Sequence, residues 1–211
     1  MQGRPYYPEG FEFTYEHVYN SVLAIQLKFA AAGYGVGHRI ALLLENRPEA
    51  HIYWWALNGL GVSIVPINPS YTPQEIEFLL THSECVAVVS VPERMTDLSK
   101  VIKTLNQSLP LINSADMPND LSGAICESLG NSLNKDNEAA LMYTSGTTGN
   151  PKGCILSNRF FINAGGWYLE AGGKMAIKPG SERLLNPLPL YHANALAISS
   201  MAMLMSGGCI I

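Results

Sequence analysis

The sequence predicts an α/β fold made of three-layer sheets with helices on both faces. Short apolar runs rich in valine, isoleucine and leucine alternate along the chain with longer segments in which apolar residues recur at helical spacing. The short runs are continuously apolar, which is typical of parallel strands buried on both faces. Strands and helices that alternate at this interval favour a parallel sheet.

Start and stop signals mark several of the predicted helices. Residues 72–75, Thr-Pro-Gln-Glu, form a capping box with proline at the first helical position. Gly33 fits the end of the first helix, Pro48 the start of the second, and Ser157 the cap of a later one. The predicted helices span 14–32, 48–59, 73–82, 94–106, 158–171 and 194–205. The predicted strands span 39–44, 62–68, 85–90, 109–113, 139–144, 154–157 and 183–188, and a last strand begins at 209.

The alternating pattern lapses over residues 114–137, where Ser, Asn, Asp and Gly dominate. We interpret this stretch as a surface connection. The predicted organisation is a first α/β portion over 1–113, the connection over 114–137, and a phosphate loop with the start of a second α/β portion over 138–211.

Composition and charge exclude several classes of protein. The net charge is −4 and the basic residues are scattered singly, so no nucleic-acid partner is expected. Cys85, Cys126, Cys154 and Cys209 lie far apart and lack a histidine at metal-ligand spacing. We interpret them as free thiols of a cytoplasmic protein, and we predict no metal site.

The uncharged run from Ala193 to Ile211 is close to the length of a membrane span. Asn194, three serines and two glycines interrupt it. We therefore predict a buried helix followed by the start of a strand, and no membrane span.

The most informative segment is the loop from Thr144 to Gly153, which follows a predicted strand. It contains four hydroxyl side chains, three glycines and Lys152. Glycines let backbone N–H groups turn toward an anion, hydroxyls donate hydrogen bonds to its oxygens, and lysine adds a point charge. Most tracts of this composition are ordinary turns, but a turn requires neither four hydroxyls nor a lysine. The loop therefore predicts a polyphosphate site.

Two other nucleotide-binding motifs do not fit the sequence. The Walker loop requires glycine before its lysine and Ser or Thr after it, whereas Pro151 and Gly153 flank Lys152. The glycines at 33, 35 and 37 have the wrong spacing for a dinucleotide fingerprint, and they precede a predicted strand.

The segment TSGTTGNPKG (144–153) resembles the phosphate loop of the adenylate-forming superfamily, which comprises acyl-CoA synthetases, firefly-type luciferases and the adenylation domains of peptide synthetases. Further segments are similar to the family's in the same order, namely FTYEHVYNSV, RIALLLENRPEA, GVSIVPINPSYTPQEIEFLL and PLPLYHANAL. The resemblance covers nearly the whole chain, and only 91–137 lacks a motif.

The resemblance implies a two-step reaction. The carboxylate of a small-molecule acid attacks the α-phosphorus of ATP, with Mg²⁺ assisting, and a thiol, usually coenzyme A, then displaces AMP. It also implies that the triphosphate is bound by Thr144, Ser145, Gly146, Thr147, Thr148 and Lys152. We assign no catalytic residue within this chain.

His192 matches the histidine that the family brings to its acyl pocket. A lone histidine beside an apolar helix is more often structural than functional. His192, however, lies just past a predicted strand end, where open α/β sheets bind ligands. We therefore predict that His192 binds the acid and that Asn194 lies beside it. The other histidines, His17, His38, His51 and His82, lack this context and are interpreted as surface or packing residues.

Some motifs of the family have no counterpart in these residues. They are the Mg²⁺-binding acid, the ribose-binding aspartate, the hinge and the C-terminal domain with its lysine. We therefore expect this chain to be the N-terminal part of the large domain of an adenylate-forming enzyme, and to have no activity by itself. Because the helix over 194–205 is apolar on nearly every side, self-association of the isolated chain is a further hypothesis.

Three functions are compatible with the sequence. The histidine-containing segment PLYHANA favours an acyl-CoA ligase, in the expected context of fatty acid metabolism. The alternatives are an adenylation domain of a peptide synthetase or a luciferase-like enzyme, and, from another class, a non-catalytic nucleotide-binding module.

Overall fold

The computed structural model describes residues 11–105, 108–130, 132–144 and 151–211. The helices are α1 (Tyr15–Ala31), α2 (Pro48–Asn58), α3 (Pro73–His82), α4 (Met95–Thr104), α5 (Asn158–Glu170) and α6 (Met201–Ser206), with a π-helix (Asn194–Ser200) directly before α6. The strands are β1 (Arg39–Leu43), β2 (Ser63–Pro66), β3 (Ala87–Ser90), β4 (Leu111–Asn113), β5 (Glu138–Thr144), β6 (Lys152–Ser157), β7 (Arg183–Leu184) and β8 (Cys209–Ile210).

Six of these strands form one sheet in the order β4-β3-β1-β2-β5-β6, and β7 pairs with β8 separately. The strands β1 to β5 run parallel, with Ile40 opposite both Ile64 in β2 and Ala87 in β3. The strand β6 runs antiparallel to β5. A parallel pair needs a crossover of about a dozen residues. Because only residues 145–151 join β5 to β6, these two strands pair as a hairpin.

Helices cover both faces of the sheet, which confirms the predicted three-layer architecture. In β1, Ile40 and Leu42 contribute to the core under α1, α2 and α5, whereas Ala41 and Leu43 contribute to the core under α3 and α4. This alternation is the period of two expected of a strand. Both faces of β1 are apolar because both are buried, which explains the continuous apolar run in its sequence.

The largest buried side chains lie on the face covered by α1, α2 and α5. The rings of Trp54 in α2 and Phe161 in α5 have centroids 4.9 Å apart. Phe29 of α1 meets Tyr53 of α2 edge-on, with centroids 6.5 Å apart. These aromatic contacts hold the three helices on the sheet as one layer.

The predicted helix caps are present in the structure. The Thr72 hydroxyl accepts a hydrogen bond from Glu75 N at 3.3 Å, and the Glu75 carboxylate accepts one from Thr72 N at 2.7 Å. Ser157 caps α5 through Phe160 N, and Gly33 follows α1 with a φ of 81°. The hydrogen bonds of Thr72, Glu75 and Ser157 satisfy backbone donors at the starts of helices, and Gly33 turns the chain at the end of α1. Local sequence was therefore sufficient to predict these caps.

Several elements differ in their bounds from the sequence prediction, and three of them lie in the second half of the chain. The strand predicted over 183–188 is confined to β7, because Pro187 and Pro189 have no N–H group to donate to a ladder. The strand predicted over 154–157 begins earlier, at Lys152, because its first residues pair with the end of β5. The helix predicted over 194–205 is present, but its first seven residues form the π-helix.

The chain between β4 and β5 contains no helix or strand among the residues described there, 114–130 and 132–137. Backbone hydrogen bonds nevertheless hold it against the region that follows α1. Ala124 N donates to Ala32 O at 3.0 Å, and Leu129 N donates to Val36 O at 2.8 Å. The Lys28 ammonium group donates to Met117 O at 3.0 Å.

Two features are absent from the described part of the chain. No helix there combines the length and the apolarity that crossing a bilayer requires. The same residues contain no group of three or more His, Cys, Asp or Glu side chains that could hold a metal ion.

The close approach of α5 to the π-helix and α6 gives a first prediction. A Cβ atom at Gly165 would lie 2.7 Å from the Met201 Cβ, whereas one at Gly166 would meet only the Met205 Cε, at 4.0 Å. We expect Gly165→Ala to destabilise the chain by about 1–2 kcal/mol, because the clash outweighs the gain in helix propensity. The matched control Gly166→Ala should be neutral or stabilise it by up to about 1 kcal/mol. Urea unfolding followed by tryptophan fluorescence measures both, and equal stability of the two variants would contradict the packing.

Candidate active site

A crevice forms at the carboxyl edge of the sheet, between β1 and β2. The helix after β1, α2, lies on one face, whereas the helix after β2, α3, lies on the other. These two strands are neighbours. Open α/β sheets bind ligands where adjacent strands lead to opposite faces, because the two connections diverge there and leave space.

The segment leading to His192 fills part of this crevice, and Asn46 holds it there. Asn46 follows β1, and its amide Nδ2 donates to Leu188 O at 2.9 Å. Its Oδ1 accepts from Leu190 N, also at 2.9 Å. Leu190 is buried, and with Tyr191 it lines a cavity of about 20 Å³ above β1 and β2. One side chain thus fixes a segment that is remote in sequence at the carboxyl edge.

His192 and Asn194 are both exposed at this edge. His192 N donates to Pro189 O at 3.0 Å and closes a turn, and Asn194 begins the π-helix two residues later. The rings of Tyr191 and His192 have centroids 4.5 Å apart. The imidazole and the amide are therefore accessible to a ligand at the rim of the crevice.

Thr144 and Lys152 stand opposite each other at the mouth of the predicted phosphate loop. Thr144 is the last residue of β5, and Lys152, the first of β6, is its partner in the antiparallel ladder. Both are exposed. Residues opposite each other in such a pair project to the same face of the sheet. Thr144 is two residues after Met142, which packs on the face of α2 and α5, so Thr144 and Lys152 project to that face. The remaining predicted loop positions, Ser145, Gly146, Thr147 and Thr148, lie outside the described residues.

Tyr143 anchors the strand directly before this loop. Its ring is buried on the opposite face, and its hydroxyl oxygen lies 2.8 Å from His82 Nδ1 at the end of α3. Burial raises the pKa of Tyr143 to about 12, so the hydroxyl keeps its proton and shares it in this hydrogen bond. At the end of β5, Tyr143 therefore packs into the core, whereas Thr144 is exposed.

Sequence reasoning did not identify Asn46 and Tyr143 as part of this site. A signal existed for Asn46, since it is a polar residue close after an apolar strand, where side chains reach the carboxyl edge. No local signal indicates the pairing of Tyr143 with His82, which are 61 residues apart.

A family model described as AMP-binding enzyme matches residues 2–211 of the chain. The chain belongs to this family. The match covers every segment that forms the crevice and both strands that flank the loop. The resemblance noted in the loop and in the PLPLYHANAL segment is therefore confirmed at the level of the family.

Two curated members of the AMP-binding family show what the chain resembles. The sulfoacetate–CoA ligase of Cupriavidus necator is 29% identical over 187 residues, with 87% of this chain and 36% of that protein covered. A long-chain-fatty-acid–CoA ligase of Escherichia coli is 28% identical over 205 residues, with 82% of this chain and 36% of that protein covered. The chain thus spans 36% of the length of these relatives.

Solved structures share the fold of the AMP-binding chain. The o-succinylbenzoate CoA synthetase of Bacillus subtilis, in complex with its acyl-adenylate intermediate, superposes with a TM-score of 0.76 at 25% identity, over 96% of this chain and 50% of that one. The same enzyme in complex with ATP and magnesium gives a TM-score of 0.75 at 22% identity, over 94% of this chain and 50% of that one. These neighbours establish that the described fold is that of the N-terminal domain of adenylate-forming enzymes.

The contacts of Asn46 give the second prediction. We expect Asn46→Ala to destabilise the chain by about 1–3 kcal/mol, because it leaves Leu190 N and Leu188 O without their partner. Hydrogen exchange should speed up at the Leu190 amide before the rest of the chain is affected. Asn163→Ala, at an exposed position of α5, is the control; it should stabilise the chain by up to about 0.7 kcal/mol through helix propensity and leave exchange at Leu190 unchanged. Unchanged exchange at Leu190 in the Asn46 variant would show that the amide does not hold the segment.

Proposed function

We propose that this chain provides the phosphate loop and part of the acid pocket of an acid–thiol ligase that forms acyl-AMP and then an acyl-CoA thioester. The observation that carries the proposal is the arrangement of the carboxyl edge. Thr144 and Lys152 face each other at the mouth of the loop, and the segment bearing His192 approaches from the same face of the sheet. ATP bound at the loop and a carboxylic acid bound at the His192 segment would meet between them.

Each of these residues has a distinct role in the proposal. The Lys152 ammonium group neutralises charge on the β- and γ-phosphates of ATP, and the Thr144 hydroxyl donates to a phosphate oxygen. Ser145, Gly146, Thr147 and Thr148 complete the cradle. His192 and Asn194 hold the acid, so that its carboxylate oxygen can attack the α-phosphorus while pyrophosphate leaves.

In this proposal, Mg²⁺ is bound through the phosphates of the nucleotide. Mg²⁺ prefers carboxylate and phosphate oxygens as ligands. The described part of the chain offers no cluster of acidic side chains, so these residues do not form a cage for the ion. We propose that Mg²⁺ arrives on the phosphates of ATP.

Coenzyme A and the identity of the acid rest on the relatives. The two curated relatives are named for sulfoacetate and for long-chain fatty acids, which differ in length and in charge. The proposal therefore extends to the activation of a carboxylic acid and its transfer to coenzyme A in the cytoplasm, without naming one acid. Because the chain spans 36% of these relatives, we propose that turnover needs further residues, and we call the chain together with them the complete enzyme.

A third prediction tests the phosphate role of Lys152. In the complete enzyme, Lys152→Ala should slow adenylation, measured by ATP–pyrophosphate exchange, by about 1.5–3 kcal/mol, or roughly 10- to 150-fold. Thiolation of preformed acyl-AMP should stay nearly unchanged, because the β- and γ-phosphates have already left. Lys103→Ala, on α4 at the other face, is the charge-matched control. An equal loss in both half-reactions would refute the assignment of Lys152 to the phosphates.

A fourth prediction separates the acid side of the site from the nucleotide side. In the complete enzyme, His192→Ala should raise KM for the acid by about tenfold, the effect of removing one polar contact, and leave KM for ATP within about twofold. The matched control is His17→Ala, at an exposed position of α1. If KM for ATP rises while the dependence on acid is unchanged, His192 does not line the acid pocket.

A further inference from the structure

The π-helix over Asn194–Ser200 starts two residues after His192 and includes Asn194. A π-helix is rare and appears mostly as single turns at functional sites, because its wider ring packs less well than an α-helix. Such a turn persists when neighbouring groups support it. The side chains that support this turn are therefore candidates for positioning the two acid-site residues that precede and begin it.

Ser200 and His51 supply this support. The Ser200 hydroxyl donates to Ala195 O at 2.7 Å, a contact that spans the π-turn from one end to the other. From α2, His51 Nε2 lies 2.8 Å from the same hydroxyl oxygen. Ser200 and Ala195 are fully buried, so water does not reach the bond between them, and His51 is half-buried. The imidazole of His51 in turn packs on the ring of Trp55, with centroids 5.4 Å apart.

The direction of these bonds follows from the single proton of the hydroxyl. A carbonyl can only accept, so the Ser200 proton points to Ala195 O. His51 Nε2 must then carry a proton and donate it to the hydroxyl oxygen. Burial lowers the pKa of His51 to about 4, so at neutral pH the imidazole is uncharged and has its proton on Nε2.

We propose that His51 and Ser200 are positioning residues, which hold the π-turn at Ala195 and thereby keep His192 and Asn194 facing the carboxyl edge. This inference deepens the proposed acid site and rests on it. Without the pair, the turn can relax to an α-helix, in which each backbone hydrogen bond closes a ring with one residue fewer. Successive residues of an α-helix are rotated by about 100°, so the residues before Ala195 would turn away from the crevice by a similar angle.

The test compares four variants in the complete enzyme. His51→Leu should raise KM for the acid by roughly tenfold, the effect of one lost buried hydrogen bond, and leave KM for ATP within about twofold. Ser200→Ala also loses the bond to Ala195 O, so it should raise KM for the acid at least as much, again with KM for ATP within about twofold. His51→Gln keeps an N–H donor near the position of Nε2 and should restore KM to within about threefold. The double variant His51→Leu/Ser200→Ala should behave like Ser200→Ala alone, because the bond that His51 makes is already lost when the Ser200 hydroxyl is removed. Equal changes in the two KM values, or no rescue by a folded Gln variant, would overturn the proposal.

A second measurement on the isolated chain decides the inference independently of activity. Hydrogen exchange of the amides over 194–200 should be faster in His51→Leu and in Ser200→Ala, and close to the unsubstituted chain in His51→Gln. The control is Ser206→Ala, which removes a hydroxyl that bonds to Met203 O within α6. It should leave exchange over 194–200 unchanged. If the complete enzyme forms no acyl-AMP, the proposed function fails; if exchange over 194–200 does not respond to His51→Leu, the positioning pair fails.

Discussion

The strands β1 and β2 lie side by side, yet the chain leaves them toward opposite faces of the sheet. Connections that leave adjacent strands toward opposite faces open a crevice at the carboxyl edge, where open α/β sheets bind ligands. The segment over 188–192 enters that space, and the strand β5 brings the loop to the same edge. The position of the site is therefore a consequence of strand order, before any individual side chain is considered.

Side chains then fix what the topology has brought together. Asn46 binds the backbone at Leu188 and Leu190, and the His51–Ser200 pair binds the turn that follows. On the opposite face, His82 binds Tyr143 just before the loop. Each contact uses a polar side chain to hold a segment of backbone next to a side chain of the proposed site. Rigid support beneath accessible groups is what preorganised binding requires.

The sequence was sufficient for features that depend on near neighbours and insufficient for those that depend on distant ones. The capping box at Thr72 and the apolar run of β1 follow from local chemistry, and both were predicted. The π-turn could not be predicted, because His51 and Ser200 are 149 residues apart. The motif alone indicated Thr144 and Lys152, and the hairpin that opposes them follows from the short link between β5 and β6. The contacts of Asn46 could not be predicted either, because they join it to Leu188 and Leu190, which are more than 140 residues away in sequence.

The amino edge of the sheet carries a bidentate ion pair. Arg39, at the start of β1, donates from Nε and from a terminal nitrogen to both carboxylate oxygens of Glu138, at the start of β5, at 2.7 and 2.8 Å. Burial opposes ionisation of Glu138, but the bonds from Arg39 outweigh it and keep its pKa below the usual value. Charges at the amino edge are thus paired with each other, across the intervening β2. At the carboxyl edge, Arg94 donates to the Glu45 carboxylate at 3.0 Å, whereas Lys152 and His192 stay exposed and available to negatively charged ligands.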